Sequence, residues 1–262
     1  MREKRMPILI SIPHGGTKIP KEAEHLFRLD LQEVLRDGDT WVREIFDFRE
    51  AVEVLIDTPI PRVIIDLNRQ SEDLPPKNFD GVVKTKSLFY NQVWEDPNGL
   101  PKTIQEELIE KYYRPYYRKV SEALQIPSLK LAIDCHSMLP KDPFDEAAPK
   151  RPLFCISNRG GRQGQQETEP VSAPQEILQS LQHLLEKEFG KGSVLLNSPF
   201  KGGQITRYFS KESAVPWLQL EVNRSLYLPE EEIIPETPTG LHLERVTELN
   251  QKILKAIRAL EL

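Results

Sequence analysis

Two of the five histidines in this chain stand just past apolar, strand-like runs. His14 follows ILISIP (8–13), and His136 follows LKLAID (129–134) with one residue between. In open α/β sheets, ligands and reacting groups gather beyond the carboxyl ends of the strands. Neutral imidazole is a common metal ligand. The two histidines are therefore predicted to meet at one edge of a sheet as ligands of one catalytic metal ion.

The sequence DCHS favours a ligand role for His136. Side chains alternate between the two faces of a strand, so Asp134 and His136 share a face and Cys135 points the other way. This geometry argues against a Cys135–His136 nucleophile pair, and it gives the His136 ring a carboxylate that can orient it. At His14, the two glycines that follow let the backbone approach a metal closely. The alternative for each histidine is a buried ring satisfied by hydrogen bonds alone.

A third protein ligand is expected, because a catalytic zinc ion takes about three and keeps one position open. The remaining histidines lie in helical or surface contexts, so the third ligand should be an oxygen donor. The segment RDGDTWV offers Asp37 and Asp39. Asp39 is the preferred ligand and Asp37 the alternative. Either carboxylate could instead cap the helix that is predicted to start at Trp41, a common role for aspartate.

Two arginines and one asparagine are candidates for contacting an anionic substrate. Asn68 and Arg69 leave the apolar run RVIIDL (62–67), which is predicted to be a strand, and Arg207 follows a glycine turn in FKGGQITR. A planar guanidinium suits a carboxylate or the oxyanion of a tetrahedral intermediate, because it can donate two parallel hydrogen bonds. A surface salt bridge is the alternative for each arginine.

The run WLQLEV (217–222) carries a polar stripe inside an apolar strand. Its period of two places Trp217, Gln219 and Glu221 on one face, opposite three aliphatic residues. A glutamate in a buried strand is costly unless it is paired or lies near a metal, and general bases occupy such positions. Glu221 is therefore the candidate general base.

The composition limits the classes of partner. Charged residues make up 29% of the chain, hydrophobic residues 39%, and the formal net charge is −5. An acidic chain with scattered Lys and Arg lacks the electrostatic footprint of a nucleic-acid binder, so an anionic substrate must be attracted by a local basic pocket.

No run approaches the roughly 20 apolar residues of a transmembrane helix. The N-terminal apolar run is too short for a signal peptide and ends in His14. Cys135 and Cys155 give no disulfide framework. A cytoplasmic protein is expected, with no membrane or nucleic-acid partner, and its oligomeric state is left open.

Strands and helices alternate along the predicted fold. The strand-like runs are 8–13, 52–57, 62–67, 129–134, 152–157, 193–197 and 217–222. Helical patterns cover 21–36, 41–50, 103–124, 174–190 and 243–262. This alternation predicts an α/β sandwich with a mixed, mostly parallel sheet. One domain spanning 1–262 is expected at this length.

Three further features interrupt the regular pattern. Pro115 should kink or break the helix that contains it. Two segments look irregular, one at 71–87 and one that runs from 140–152 through 158–174, and loops of such length in a compact domain tend to be lids, binding loops or disordered tracts.

Taken in order, six segments resemble the N-formylglutamate amidohydrolase family: SIPHGGTKIP, DTWVREIFDF, VIIDLNR, DCHS, FKGGQITRYF and LQLEVNRS. The resemblance spans about residues 8–224. Members of this family are zinc-dependent hydrolases that release formate from N-formyl-L-glutamate. Their fold is similar to that of zinc carboxypeptidases (phosphorylase/hydrolase-like), a three-layer α/β/α sandwich around a mixed sheet. The resemblance implies an amidohydrolase of that fold.

The resemblance also implies a metal site. Zinc would be held by His14, by a carboxylate in the turn 37–39, and by His136. Carboxypeptidases place a metal-binding Glu three residues after the first histidine, whereas this chain has Thr17. The identity of the third ligand therefore stays between Asp39 and Asp37.

The remaining site residues follow from the same resemblance. It implies that Arg69 and Arg207 face the substrate and the developing oxyanion and that Glu221 activates water. Which arginine binds the carboxylate and which the oxyanion stays open. The segment 158–174, where a substrate-contacting loop is expected, is rich in Gln and Gly and does not match the family pattern.

Three functional hypotheses follow. The favoured one is zinc-dependent hydrolysis of the amide of N-formyl-L-glutamate, a small anionic substrate. The second keeps the metal site but changes the substrate, as in an N-acyl amino acid deacylase or a carboxypeptidase, and a panel of acyl donors distinguishes it. The third is a non-catalytic binding module of the same fold, which would contain no stoichiometric zinc.

Overall fold

A single mixed sheet organises the chain in this computed structural model, which describes residues 4–145, 147–228 and 233–262. Its strands are β1 (Met6–Ile12), β2 (Val52–Asp57), β3 (Leu131–Met138), β4 (Phe154–Ser157), β5 (Val194–Leu196) and β6 (Trp217–Asn223). They lie in the order β2-β1-β3-β6-β4-β5. The first four strands of this order run parallel, β4 pairs antiparallel with β6, and β5 runs parallel to β4. The predicted mixed, mostly parallel sheet is confirmed.

The α-helices are α1 (Lys21–Glu24), α2 (Leu31–Asp37), α3 (Val42–Ile45), α4 (Lys102–Leu108), α5 (Arg114–Ala123), α6 (Gln175–Phe189), α7 (Gln204–Glu212) and α8 (Gly240–Arg258). A π-helical turn (Ile109–Tyr113) joins α4 to α5, and a 3-10 turn (Arg224–Leu226) follows β6. Within the described ranges, no helix is both long and apolar enough to cross a membrane.

Two apolar cores lie on opposite faces of the sheet, as the alternation along β1 indicates. Ile8, Ile10 and Ile12 belong to the core that contains residues of α3, α6 and α8. Leu9 belongs to the other core, together with residues of α4, α5 and α7. The sheet is therefore covered by helices on both faces, and the predicted three-layer α/β/α sandwich is confirmed.

The same alternation decides which face carries polar groups. On β3, Leu131, Ile133 and Cys135 enter the first core, so Asp134 and His136 point to the opposite face. On β6, the three aliphatic residues enter the first core, and Trp217 packs in the second. Gln219 and Glu221 share the face of Trp217, as predicted.

The predicted strand 62–67 is wrong. Its amides at Ile64 and Ile65 donate to the carbonyl of Pro61 at 3.0 and 3.2 Å, which coils the segment into a tight turn. The Asp66 amide donates to the Val82 carbonyl at 2.8 Å instead of to a strand. The apolar side chains of the turn are still buried in the second core. A short apolar run indicates burial, and here burial occurs without a sheet.

Several predicted boundaries also differ. The predicted helix 21–36 is two helices, because Asp30 starts α2 with a capping box in which its side chain accepts from the Glu33 amide. The predicted helix 41–50 is only α3, and helix α7 was not predicted. His136 lies inside β3 rather than past its end, because the strand continues to Met138. The predicted segments 174–190 and 243–262 correspond to α6 and α8.

The expected break near Pro115 takes the form of a π-helical turn. Residues Ile109–Tyr113 adopt it, and Pro115 then lies in the first turn of α5. Proline has no amide proton and its ring collides with the carbonyl four residues earlier in an α-helix. A π-helical turn is one of the local irregularities that kink or adjust helices at such points.

We predict that the packing of β6 depends strongly on the buried side chain of Leu220. Leu220→Ala removes a side chain that is 0% exposed, which should lower the free energy of unfolding by about 2–5 kcal/mol. Leu195→Ala in β5 is the matched control: that side chain is 43% exposed, and a loss below about 1 kcal/mol is expected. Urea denaturation of both variants measures the difference, and equal losses would contradict this packing.

Candidate metal centre

Three side chains bring ligand atoms to one point. His14 lies two residues beyond β1, His136 lies on β3, and Asp39 lies between α2 and α3. The two Nδ1 atoms are 3.1 Å apart, and Asp39 Oδ2 lies 3.1 Å from Nδ1 of His136 and 3.4 Å from Nδ1 of His14. All three residues are buried. Two imidazole nitrogens and one carboxylate oxygen form a donor set that suits catalytic zinc.

The outer nitrogens of both rings contact carboxylates. His14 Nε2 lies 2.9 Å from Asp66 Oδ1, and His136 Nε2 lies 2.9 Å from Asp134 Oδ2. An ionised carboxylate only accepts hydrogen bonds, so each Nε2 carries the proton. When the rings are neutral, each Nδ1 presents a lone pair toward the shared point, as a metal ligand must; when a ring is protonated, its Nδ1 donates to Asp39 instead. Carboxylates in this position orient histidine ligands of metal ions.

The charges around this point favour a cation. Burial alone would raise the pKa of Asp39, but hydrogen bonds from His136 and His14 hold it below its usual value. Burial alone would lower the pKa of His136, but Asp134 and Asp39 raise it well above its usual value. The ionised carboxylates thus favour positive charge between the rings, whether a proton or a metal ion carries it. The residues present fit a divalent metal.

The loop that carries Asp39 is fixed from two sides. Its amide donates to the His14 carbonyl at 3.2 Å. The buried Arg224 lies beneath it, with Nη2 3.6 Å from Asp39 Oδ1 and hydrogen-bonded to the Gly38 carbonyl. Arg224 Nε also donates to Ser137 Oγ at 3.1 Å, next to His136. The arginine therefore joins the Asp39 loop to the end of β3.

Asp37 faces a different set of partners. Its Oδ2 accepts from the Leu88 amide at 2.6 Å, and its Oδ1 lies 3.4 Å from Nε of Arg62. The side chain is fully buried in these contacts. Of the two aspartates that the sequence offered, only Asp39 joins the two histidines.

Glu221 lies on the strand beside His136, to which it is the register partner across β3 and β6. Its Oε1 accepts a hydrogen bond from Nε2 of Gln219 at 2.8 Å. Gln219 is itself held by the Gly203 amide, which donates to its Oε1 at 2.7 Å. Burial raises the pKa of Glu221 to about 7. A carboxyl with such a pKa can take up and release a proton near neutral pH.

A cavity of about 270 Å³ opens over these groups. Besides His14, Asp39, His136, Gln219 and Glu221, it is lined by Arg62, Asn68, Arg69, Ser137 and the segment 200–203. Asn68 is fixed by the Ile205 amide, which donates to its Oδ1 at 2.9 Å. Gly203 must be a glycine, because a Cβ there would lie 2.2–2.5 Å from the Asn68 amide atoms.

The two predicted arginines differ in position. Arg69 lines the cavity and donates through Nη2 to Asp80 Oδ2 at 2.8 Å. Arg207 lies on α7, half-buried, and is not among the residues that line this cavity in the described part of the chain. The structure therefore brings together every predicted site residue except Arg207.

Sequence reasoning missed four charged residues around the centre: Arg62, Asp66, Lys84 and Arg224. Asp66 lies inside the predicted strand 62–67 and Arg224 lies two residues past the predicted strand 217–222, so their positions near strand ends offered a usable signal. Lys84 lies in the segment 71–87, which looks irregular, and nothing in its neighbourhood indicated burial.

Comparisons with known proteins agree with the resemblance. The family model for N-formylglutamate amidohydrolase matches residues 6–228. The N-formylglutamate deformylase of Pseudomonas putida is 29% identical over 242 residues, covering 87% of this chain and 84% of the relative. The protein of the same name from Pseudomonas aeruginosa is 26% identical over 241 residues with the same coverage.

A solved structure shares the fold. The crystal structure of N-formylglutamate amidohydrolase from Ralstonia eutropha JMP134 superimposes with a TM-score of 0.74 at 21% identity, covering 98% of this chain and 96% of that one.

We predict that the two neighbouring aspartates respond differently to the same change. Asp39→Asn removes the anionic donor between the histidines, so zinc affinity should fall about 100-fold or more. Asp37→Asn is the matched control and should leave zinc affinity within about threefold of the parent protein. Competition with a chromophoric chelator measures both. A larger loss for Asp37→Asn than for Asp39→Asn would contradict the assignment.

Proposed function

The chain belongs to the N-formylglutamate amidohydrolase family, and from this premise we propose that it hydrolyses N-formyl-L-glutamate to formate and glutamate with zinc as its cofactor. The observation that carries the proposal is the convergence of His14, Asp39 and His136 beside Glu221 in one cavity. Two relatives that share 87% of this chain's length are named N-formylglutamate deformylase.

In this proposal His14, Asp39 and His136 would hold the metal ion. When bound there, zinc supplies Lewis acidity toward the formyl oxygen and lowers the pKa of water at the site. Asp66 and Asp134 keep the two rings in the orientation that presents Nδ1.

Glu221 is proposed to move the proton. Its carboxylate takes a proton from the attacking water and returns it to the nitrogen of the departing amine, so that water and amide become formate and a free amine. Its raised pKa, about 7, suits both steps near neutral pH. Gln219 donates to Oε1 and so orients the other oxygen, Oε2, for the transfer.

Arg69 is proposed to bind one carboxylate of the substrate or the developing oxyanion, with Asn68 beside it. A preorganised cation in a partly closed site stabilises developing negative charge more than water does. We propose that Arg207 binds the substrate carboxylate that lies farther from the formyl group. Arg207 does not line the cavity, but it follows Gly203, which does, by one helical turn. Arg62 also lines the cavity and is the alternative to Arg207.

We further propose that the protein acts on this small substrate in the cytoplasm. Both of its cysteines, Cys135 and Cys155, are buried thiols that form no disulfide. Such cysteines are typical of proteins from reducing compartments.

The test is release of formate from N-formyl-L-glutamate by purified, zinc-loaded protein. Glu221→Gln should lower kcat about 10²-fold to 10⁴-fold while zinc affinity stays close to that of the parent, because the variant loses the base and keeps the metal ligands. Glu212→Gln, exposed at the end of α7, is the matched control with parental kcat.

Removal of the metal by a chelator should abolish formate release, and added zinc should restore it. N-Acetyl and peptide substrates are assayed beside the formyl compound. Preference for the bulkier acyl groups would favour an N-acyl amino acid deacylase instead, and full activity of Glu221→Gln would contradict the role of the glutamate.

A further inference from the structure

Lys84 is a buried lysine in contact with two carboxylates. Its side chain is 1% exposed, and its Nζ lies 3.2 Å from Asp66 Oδ2 and in direct contact with Asp80 Oδ1. Lysine is almost never fully buried unless it is paired. The cost of removing this ammonium group from water is offset here by two anions.

The first carboxylate leads to the metal centre. Asp66 Oδ1 contacts His14 Nε2 at 2.9 Å and accepts the Asn68 amide at 2.9 Å. Its other oxygen faces the cations of Lys84 at 3.2 Å and Arg69 at 3.9 Å. Lys84 is therefore the nearer cation to the carboxylate that orients His14.

The second carboxylate leads to the proposed substrate-binding arginine. Asp80 contacts Lys84 through Oδ1 and accepts from Arg69 Nη2 through Oδ2 at 2.8 Å. The Asp80 carbonyl also accepts from Arg69 Nε at 3.0 Å. Each of the two functional side chains, His14 and Arg69, is thus one carboxylate away from the same ammonium group.

Lys84 itself is held in place. The indole of Trp94, a fully buried side chain, donates from Nε1 to the Lys84 carbonyl at 2.6 Å. This bond fixes the main chain at Lys84, and the two carboxylates hold the ammonium group at the end of the side chain. A preorganised charge of this kind acts on both partners without reorganisation.

We propose that Lys84 is a positioning residue that couples the metal ligand His14, through Asp66, to the substrate-binding Arg69, through Asp80. Loss of its charge releases Asp66 from one side and Asp80 from the other. His14 then loses its orientation, and Arg69 loses part of its support. The Arg69 half of this inference rests on the proposed function, whereas the His14 half concerns metal binding alone.

Lys84→Gln tests the inference, since glutamine keeps a hydrogen-bond donor and removes the charge. In folded protein, checked by near-ultraviolet circular dichroism, zinc Kd should rise about 10-fold to 100-fold, as for other residues that support metal ligands. KM for N-formyl-L-glutamate should rise as well. Lys84→Arg restores the charge and should recover most of the lost zinc affinity.

Two further variants separate the effect on Arg69, through Asp80, from the effect on His14, through Asp66. Asp80→Asn changes a half-exposed residue that contacts Arg69, so KM should rise while zinc Kd stays within about threefold of the parent. Lys111→Gln is the matched control: Lys111 also bridges two carboxylates, those of Glu22 and Glu107, at 2.5 and 2.6 Å. It lies on the surface and should change neither Kd nor KM.

Parental zinc Kd in folded Lys84→Gln would overturn the inference. If that variant does not fold, parental KM in Asp80→Asn would also overturn it. Failure of the unmodified protein to bind zinc or to release formate is a separate result, seen before any variant is made. Failure to bind zinc would overturn both the proposed function and this inference. Zinc binding without formate release would overturn the proposed function and the Arg69 half, and the zinc Kd of Lys84→Gln would still decide the His14 half.

Discussion

The arrangement of this molecule depends on keeping two imidazoles and one carboxylate in contact in its interior. His14, His136 and Asp39 come from three separate parts of the chain, and their ligand atoms lie within 4.8 Å of one another. Polar groups are costly to bury unless each has a partner. The sheet brings the two histidines together, because β1 and β3 are parallel neighbours and both histidines lie near the carboxyl ends of these strands.

Charged and polar groups around the two histidines give each buried ring a partner. Asp134 orients His136 and is held in turn by Ser11 Oγ at 2.7 Å, which lies 2.8 Å from the hydroxyl of Tyr116 on α5. Asp66 orients His14 and faces Lys84. Each of the two carboxylates that orient the histidine rings therefore has a partner on its far side. These groups hold the ring nitrogens and the carboxylate oxygen in the orientation that a metal ion requires.

The sequence predicts those features of the fold and the site that depend on patterns within a short stretch of chain. The period-two alternation on β3 and β6 is local, so the shared face of Asp134 and His136 and the inward position of Glu221 were predictable. Burial without a sheet at 62–67 was not, because an apolar run in a tight turn resembles a strand. The choice of Asp39 over Asp37 needed the turn geometry after α2. The partnership of Lys84 with Asp66 joins segments that no short pattern connects.

One metal ion is proposed to bind between the two Nδ1 atoms and Asp39 Oδ2. Crystals of the zinc-loaded protein, measured at the zinc absorption edge, test it directly. We expect one strong anomalous peak about 2.0–2.2 Å from Nδ1 of His14, Nδ1 of His136 and an oxygen of Asp39. A peak elsewhere in the molecule, or coordination through Nε2 of either ring, would contradict it.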